Sequence, residues 1–398
     1  MKKTGLLLLF GLPPCLYGYP QGTSTQDVGE RAGGLEAKAE GMGRLRFSGY
    51  VQAQWMWTRE TAAGGRNGFS IRRGRLKAAY ADKCGEAVFQ IDATEEGVKV
   101  KDAYLKLQAP DVEWIALRGG IFNRPFGYEI AYSSARRESP ERSRIFRTLF
   151  PQERDLGAEL VVKGRKDTPL EGLAINAGLF SGNGGQAKET DSRKDFIGRL
   201  SYAGKAGRLN YEAGASLYAG GVRLAGSGRQ RAYRFVDGAF VEDGSLRRGG
   251  YARRRYYGFD GGAGLRSALG TTFFRGEYLW GTQPGAAEGS HSPTGAVTAD
   301  VYVRKFAGYY LQLVHGMGAS RHSVVAKYDA YDPNVKVSGS GCRTEGDMAY
   351  RTFGLGWLYQ ANQNLRVMCY YEAAAGEKSG RQAGTKDEAF TLRLQYTF

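Results

Sequence analysis

Cysteine, histidine, proline and long apolar runs are all scarce in this 398-residue chain. Cys15 falls in an N-terminal leader, which leaves Cys84, Cys342 and Cys369. An odd count without a C-x-x-C pair argues against a disulfide framework and against structural zinc. The three histidines, His291, His315 and His322, stand in no H-E-x-x-H, and no G-x-S-x-G motif accompanies them. No catalytic residue, metal or cofactor is therefore expected. No stretch beyond the leader approaches 18 consecutive apolar residues, so no helix crosses a membrane. Acids are the minority charge, 40 Asp and Glu against 56 Lys and Arg, a formal net charge of +16.

What the chain has in plenty is Gly (59), Tyr (25) and Phe (19), a composition of many strands and tight turns. A mean hydropathy of −0.44 is too polar for a helical membrane protein. It suits a barrel wall, whose lipid-facing and water-facing residues alternate. Lys2-Lys3 followed by Leu6–Phe10 reads as a secretory leader over 1–18, cleaved on export. Residues 19–43 form a polar periplasmic segment. A basic chain could bind nucleic acid or an anionic surface. Export and barrel patterning point instead to small anions, with outer-membrane lipid around the wall.

From Arg44 the apolar period is two. Leu45, Phe47, Val51, Trp55 and Trp57 fall on one side, and Arg46, Ser48, Tyr50, Gln52 and Gln54 on the other. The chain ends in the same way, with Phe390, Leu392, Leu394, Tyr396 and Phe398 alternating with Thr391, Arg393, Gln395 and Thr397. Between these two runs, candidate strands lie near 67–81, 84–94, 97–108, 112–121, 155–164, 170–181, 194–204, 207–219, 255–266, 269–281, 306–316, 320–331, 347–360 and 363–374. That gives about 16 strands, with 14 or 18 left open. Short connections alternate with long ones at 182–193, 220–254, 282–305 and 332–346, the asymmetry of periplasmic turns and outer loops. The fold class is all-β, a transmembrane antiparallel β-barrel over 44–398. Sixteen strands leave a water-filled lumen.

One segment breaks the pattern. Residues 122–155 are long and irregular, with seven arginines (Arg124, Arg136, Arg137, Arg142, Arg144, Arg147, Arg154) against five acids (Glu129, Glu138, Glu141, Glu153, Asp155). Irregular insertions of this size are usually either functional or disordered, and this one is read as an infolded constriction loop. Part of its charge must be paired internally. Much of the positive field then belongs to the facing wall, where Arg73, Arg75 and Lys77 line one face of a strand and Arg118 follows on another. Three like charges in a row are tolerated best where water and a counter-ion reach them. Rings of Arg or Lys recur in anion and phosphate pores. The alternative is a ladder neutralised by Asp92, Asp102 and Glu129.

Four stretches occur in the order and spacing of a known family: Arg72-Arg73-Gly74-Arg75-Leu76, Lys101-Asp102-Ala103-Tyr104-Leu105, Leu117-Arg118-Gly119-Gly120-Ile121-Phe122-Asn123-Arg124-Pro125-Phe126-Gly127-Tyr128-Glu129, and Arg154-Asp155-Leu156-Gly157. Together they resemble the phosphate-selective porin O and P family. The resemblance implies a 16-stranded homotrimeric outer-membrane porin whose eyelet is lined by arginines, with Arg72, Arg73 and Arg75 among them. Two departures stand out. Residues 282–305 keep little of the family pattern, and lysines are few in 122–155, which weakens lysine-based phosphate recognition. The candidate anion site is Arg72, Arg73, Arg75, Lys77, Arg118, Arg124, Arg136, Arg137, Arg142 and Arg144, supported by Asp102 and Glu129. The competing readings are a general or sugar-permeable porin, a surface scaffold, or a barrel enzyme.

Overall fold

Alternation along the first run becomes a strand that closes a circle. In the computed structural model, which describes residues 44–59, 66–226, 230–378, 384 and 386–398, strand β1 (Leu45–Thr58) pairs antiparallel with both β2 (Arg66–Ala81) and β18 (Lys386–Thr397). The leader and the polar segment at 19–43 lie outside the described residues. From β2 the wall continues through β3 (Gly85–Thr94), β4 (Gly97–Gln108), β5 (Ile115–Asn123), β6 (Arg154–Lys163), β7 (Leu173–Phe180), β8 (Asp195–Ala206) and β9 (Leu209–Arg223). It resumes with β12 (Tyr251–Ser267), β13 (Gly270–Gly285), β14 (Val301–Met317), β15 (His322–Asp332), β16 (Tyr350–Gln360) and β17 (Leu365–Gly376) before β18. Each strand is antiparallel to its neighbours, and β9 pairs with β12. The result is a closed 16-strand barrel, in which no wall strand presents an open edge.

The first wall strand and the last residue lock together at the closure. Gly49 N–H donates to Phe398 O at 2.9 Å, and Phe398 N–H returns to Gly49 O at 3.0 Å. The terminal phenylalanine therefore belongs to the ladder. The sequence reading of 220–254 as plain loop needs one correction. The segment carries a short hairpin, β10 (Ala232–Val236) and β11 (Ala239–Glu242), whose first strand runs parallel to the outer end of β14. The following connection, expected over 282–305, is shorter than that span, because β13 runs on to Gly285 and β14 begins at Val301.

Two wall sites break the alternation. The register shifts between Gln52 and Ala53, leaving Arg72 on β2 without a partner on β1. It shifts again between Gln90 and Ile91, leaving Lys101 on β4 extra. Each is a β-bulge, which re-aims a side chain that strict alternation would send to the other face.

The hydrophobic core lies inside the barrel. Phe122, Phe126, Ile130, Phe146, Leu149 and Phe150 from the constriction segment pack against inward-facing Tyr218, Tyr256, Phe306, Tyr310 and Tyr331. A short helix, α1 (Arg144–Leu149), supplies part of this face, with Ile145, Phe146, Thr148 and Leu149 buried. The outer wall is apolar and exposed, with Phe69, Leu105, Leu107 and Phe259 among its most exposed side chains. That is the arrangement of a wall facing lipid.

Candidate functional site: the lumenal constriction

The constriction segment is fixed to the wall through its own backbone. Gly127 adopts φ +63°, a left-handed conformation open to glycine at no steric cost. The turn it allows aims three successive amides at the wall. Gly127 N–H donates to Ser216 Oγ at 2.9 Å, Tyr128 N–H to Glu277 Oε2 at 2.8 Å and Glu129 N–H to Glu277 Oε1 at 2.6 Å. A Cβ on Gly127 would stand 2.3 Å from Glu277 Oε2. These contacts give Pro-Phe-Gly-Tyr-Glu its physical meaning: Phe126 fills the aromatic core and Gly127 permits the clasp. Glu129 is buried and accepts from Lys327 Nζ at 2.6 Å and from Ser143 N–H at 2.9 Å. Burial alone would raise its carboxyl, but Lys327 and Arg137 hold it below the usual range.

Beyond this clasp the segment meets the β18–β1–β2 wall. Glu141 takes a bidentate contact from Arg72, Nε to Oε1 at 2.6 Å and Nη2 to Oε2 at 2.8 Å. Arg73 Nη2 reaches the same carboxylate at 3.1 Å and Arg393 Nη2 at 3.5 Å. Three guanidinium groups thus share one carboxylate, and they hold the Glu141 carboxyl far below its usual value against the opposing effect of burial. Arg73 also donates to Gln52, and Arg393 to Gln54 and to Pro140 O. Arg73 and Arg393 are nearly buried, whereas the Arg72 side chain remains 41% exposed.

The other expected residues divide clearly. Arg75 pairs with Asp92 at 3.4 Å and lies over the Tyr50 ring. Lys77 is half-buried lower on the same face, with no ion pair among the described residues. Arg118 is paired with Glu159 and stacks on Phe122. Arg124 is committed to Asp155 at 3.0 Å and is almost wholly buried, so it clamps the segment's start to its end. Arg142 cross-links the segment, donating to Glu129 O, Ile130 O and Glu153. Arg144 lies over the Tyr350 ring at 4.0 Å, and Arg136 is exposed. Arg137 is buried, its guanidinium without a hydrogen-bond partner among the described residues and pushed well down by burial and by the nearby Arg142 and Arg73. Asp102 does not neutralise the Arg73–Arg75 row. It receives Arg154 at 2.7 Å instead.

Sequence reading missed several participants. Lys101 is brought among Glu153, Arg75, Arg154 and Asp92 by its bulge; strict alternation concealed it. Glu141 was only one acid among five. Its partners lie 69 and 252 residues away, a separation no local pattern carries. Arg147, exposed on α1, and Arg254, buried against Asp195 and the Tyr218 hydroxyl, were also unassigned.

The infolded segment and the facing wall together gather Arg72, Arg73, Arg75, Lys101, Arg137, Arg142, Arg154 and Arg393 around Asp92, Asp102, Glu129, Glu141 and Glu153. Cations outnumber carboxylates, in a passage whose wall is polar and whose loop is fixed by apolar packing.

Solved structures resemble this fold over most of both chains. An anion-selective porin from Comamonas acidovorans superposes with a TM-score of 0.57 at 11% identity, covering 89% of this chain and 99% of that one. OprB of Pseudomonas putida gives 0.57 at 10% identity, over 90% and 96%. The outer membrane channel DcaP of Acinetobacter baumannii gives 0.55 at 11% identity, over 89% and 97%. No curated protein matches the sequence. The family described as phosphate-selective porin O and P matches residues 44–398, the whole barrel. The chain belongs to that family and is an outer-membrane porin.

Proposed function

We propose that the protein passes small anions, phosphate and polyphosphate among them, by diffusion through a constriction lined by arginine. The observation that carries this reading is the pair of β-bulges. One turns Arg72 and the other turns Lys101 from the lipid face into the same lumenal cluster, beside Arg73 and Arg75. A neutral passage has no need of two wall irregularities that each add a cation. Arg presents a planar fork that matches an oxyanion, and Lys adds a point charge. Because Arg72 keeps two-fifths of its side chain exposed, it meets a passing anion first.

Affinity in such a site is modest, since a conducting ion must leave as readily as it enters. Screening over about 8–10 Å concentrates anions locally without trapping them. The anion-selective porin of similar fold and the family description support this reading. A homotrimer and a leader cleaved near residue 18 complete it; crosslinking and N-terminal sequencing of the exported protein test those two points.

Reversal potentials across a planar bilayer in a KCl gradient test selectivity. Preference for chloride over potassium is expected, and cation preference would sink the proposal. For phosphate, the expected result is block of chloride current at sub-millimolar concentration.

A further inference from the structure

The outward face of the barrel carries a second positive site, separate from the pore. On β12, Arg254 and Tyr256 point inward, Arg254 to Asp195 and Gly182 O and Tyr256 into the lumenal core. The residues that alternate with them, Arg253, Arg255, Tyr257 and Phe259, therefore face out. Arg255 stands in register with Thr282 on β13, and Thr282 with Lys305 on β14. Lys305 faces out because its neighbours Arg304 and Phe306 are buried on the lumenal side, Arg304 on Asp347. Adjacent strands lie about 4.8 Å apart and alternate residues on a strand about 7 Å apart. Arg253, Arg255 and Lys305 therefore fit beneath a single headgroup. Arg253 and Lys305 are exposed, Arg255 is half-exposed, and none of the three forms an ion pair among the described residues.

Directly toward the membrane from these cations lies an aromatic patch. Tyr257 stacks on Trp280 at 5.5 Å, Trp280 on Tyr278 at 5.4 Å, and Phe259 packs against Trp280 at 5.5 Å. Aromatic girdles sit at headgroup depth. The patch therefore fixes the depth of the cations just beyond it, at the level of lipid phosphates. The long loops lie at this end of the barrel, so the leaflet concerned is the outer one.

We propose that Arg253, Arg255 and Lys305 form a binding site for a phosphate-bearing lipid of the outer leaflet, whose headgroup they grip while its acyl chains lie along Phe259 and Tyr278. Two Arg forks and one Lys favour a doubly charged phosphate over a carboxylate. The occupant is a lipid, because all three side chains leave the wall on its lipid face, above exposed apolar surface. The site does not depend on what passes through the pore.

The test is native mass spectrometry of the purified full-length porin, incubated with a bisphosphorylated acyl-disaccharide lipid or with the same lipid stripped of phosphate. The wild-type protein should retain the phosphorylated lipid and release the stripped one. R253Q/R255Q/K305Q should retain it at least about tenfold less, each cation near a lipid surface being worth about a factor of five. Its conductance should stay at the wild-type level, since these side chains face away from the lumen. If the triple variant fails to assemble, R253Q and K305Q alone, both at exposed positions, should each weaken retention. Equal retention of the two lipids, or undiminished retention by the variants, would overturn the site. Displacement of the lipid by excess inorganic phosphate would overturn its assignment to lipid.

Discussion

Arg72 on β2 grips Glu141 of the constriction segment through two parallel contacts of 2.6 and 2.8 Å, although alternation along β2 assigns Arg72 to lipid. The bulge at Gln52/Ala53 makes the contact possible. It leaves one carboxylate shared among Arg72, Arg73 and Arg393. Glu141 both ties down the loop and masks part of the cationic wall.

Glu141→Gln should therefore raise anion selectivity, not lower it. The amide keeps hydrogen-bonding capacity but removes a negative charge from beside three guanidinium groups. One unit charge at about 4 Å in water is worth about 1 kcal/mol, or up to about fivefold in the chloride-to-potassium permeability ratio. Reversal potentials read this directly. A fall in the ratio would mean that the masked arginines do not face the ion path.

Arg72→Gln should lower the same ratio while leaving the barrel folded, because Arg72 is the exposed member of the trio. Reversal of Arg73 differs from what its place in a solvated lumenal row implies. Its side chain is only 6% exposed, so a carboxylate there would face Glu141 without water. Destabilisation of about 3–5 kcal/mol is expected, as when a buried pair is broken. Heat-modified migration of the folded barrel on gels separates the two outcomes.

The charges on Glu129, Glu138, Glu141 and Glu153 should be insensitive to moderate acid. Burial by itself would raise the Glu141 carboxyl, yet Arg73, Arg72 and Arg393 bring it well below its ordinary 4.5. Glu129, Glu138 and Glu153 shift the same way, held down by Lys327, by Arg275 and by Arg142 respectively. A carboxyl depressed in the folded state contributes stability that is complete above its unfolded value. That stability is lost only as pH falls through the depressed one. The difference in selectivity between the wild type and Glu141→Gln should be flat from pH 7 down to 4.5. A midpoint near the ordinary carboxylate value would show that these acids are solvated.

The strands were legible in the sequence because a half-buried wall imposes a period of two, and that period is interrupted, among the described residues, only at the bulges of Arg72 and Lys101. The pairing inside the lumen was not. A bulge is one extra residue, which reverses the parity of its strand locally without any change of composition, and so Lys101 escaped notice. The clasp on Glu277 was hidden for another reason. It joins Tyr128 and Glu129 to a residue about 150 positions away through backbone amides, and amides leave no trace in side-chain pattern.

That clasp, with the aromatic plug beside it, yields the last expectation. Gly127→Ala would place a side chain in left-handed backbone, costing about 1–2 kcal/mol, and would push its Cβ to 2.3 Å from Glu277 Oε2. Phe146→Ala would empty a fully buried site between Phe150 and Tyr310, at about 3–5 kcal/mol. Neither change touches the inter-strand ladder, so the barrel should remain heat-modifiable. The loop, however, is held in the lumen by this core and by ion pairs that need it in place. Both variants should show larger and noisier single-channel currents, with new trypsin cleavage at Arg136 or Arg147, and Phe146→Ala should show the greater effect. Wild-type currents from Phe146→Ala would mean that the ion pairs of Glu129 and Glu141 alone are enough to hold the constriction.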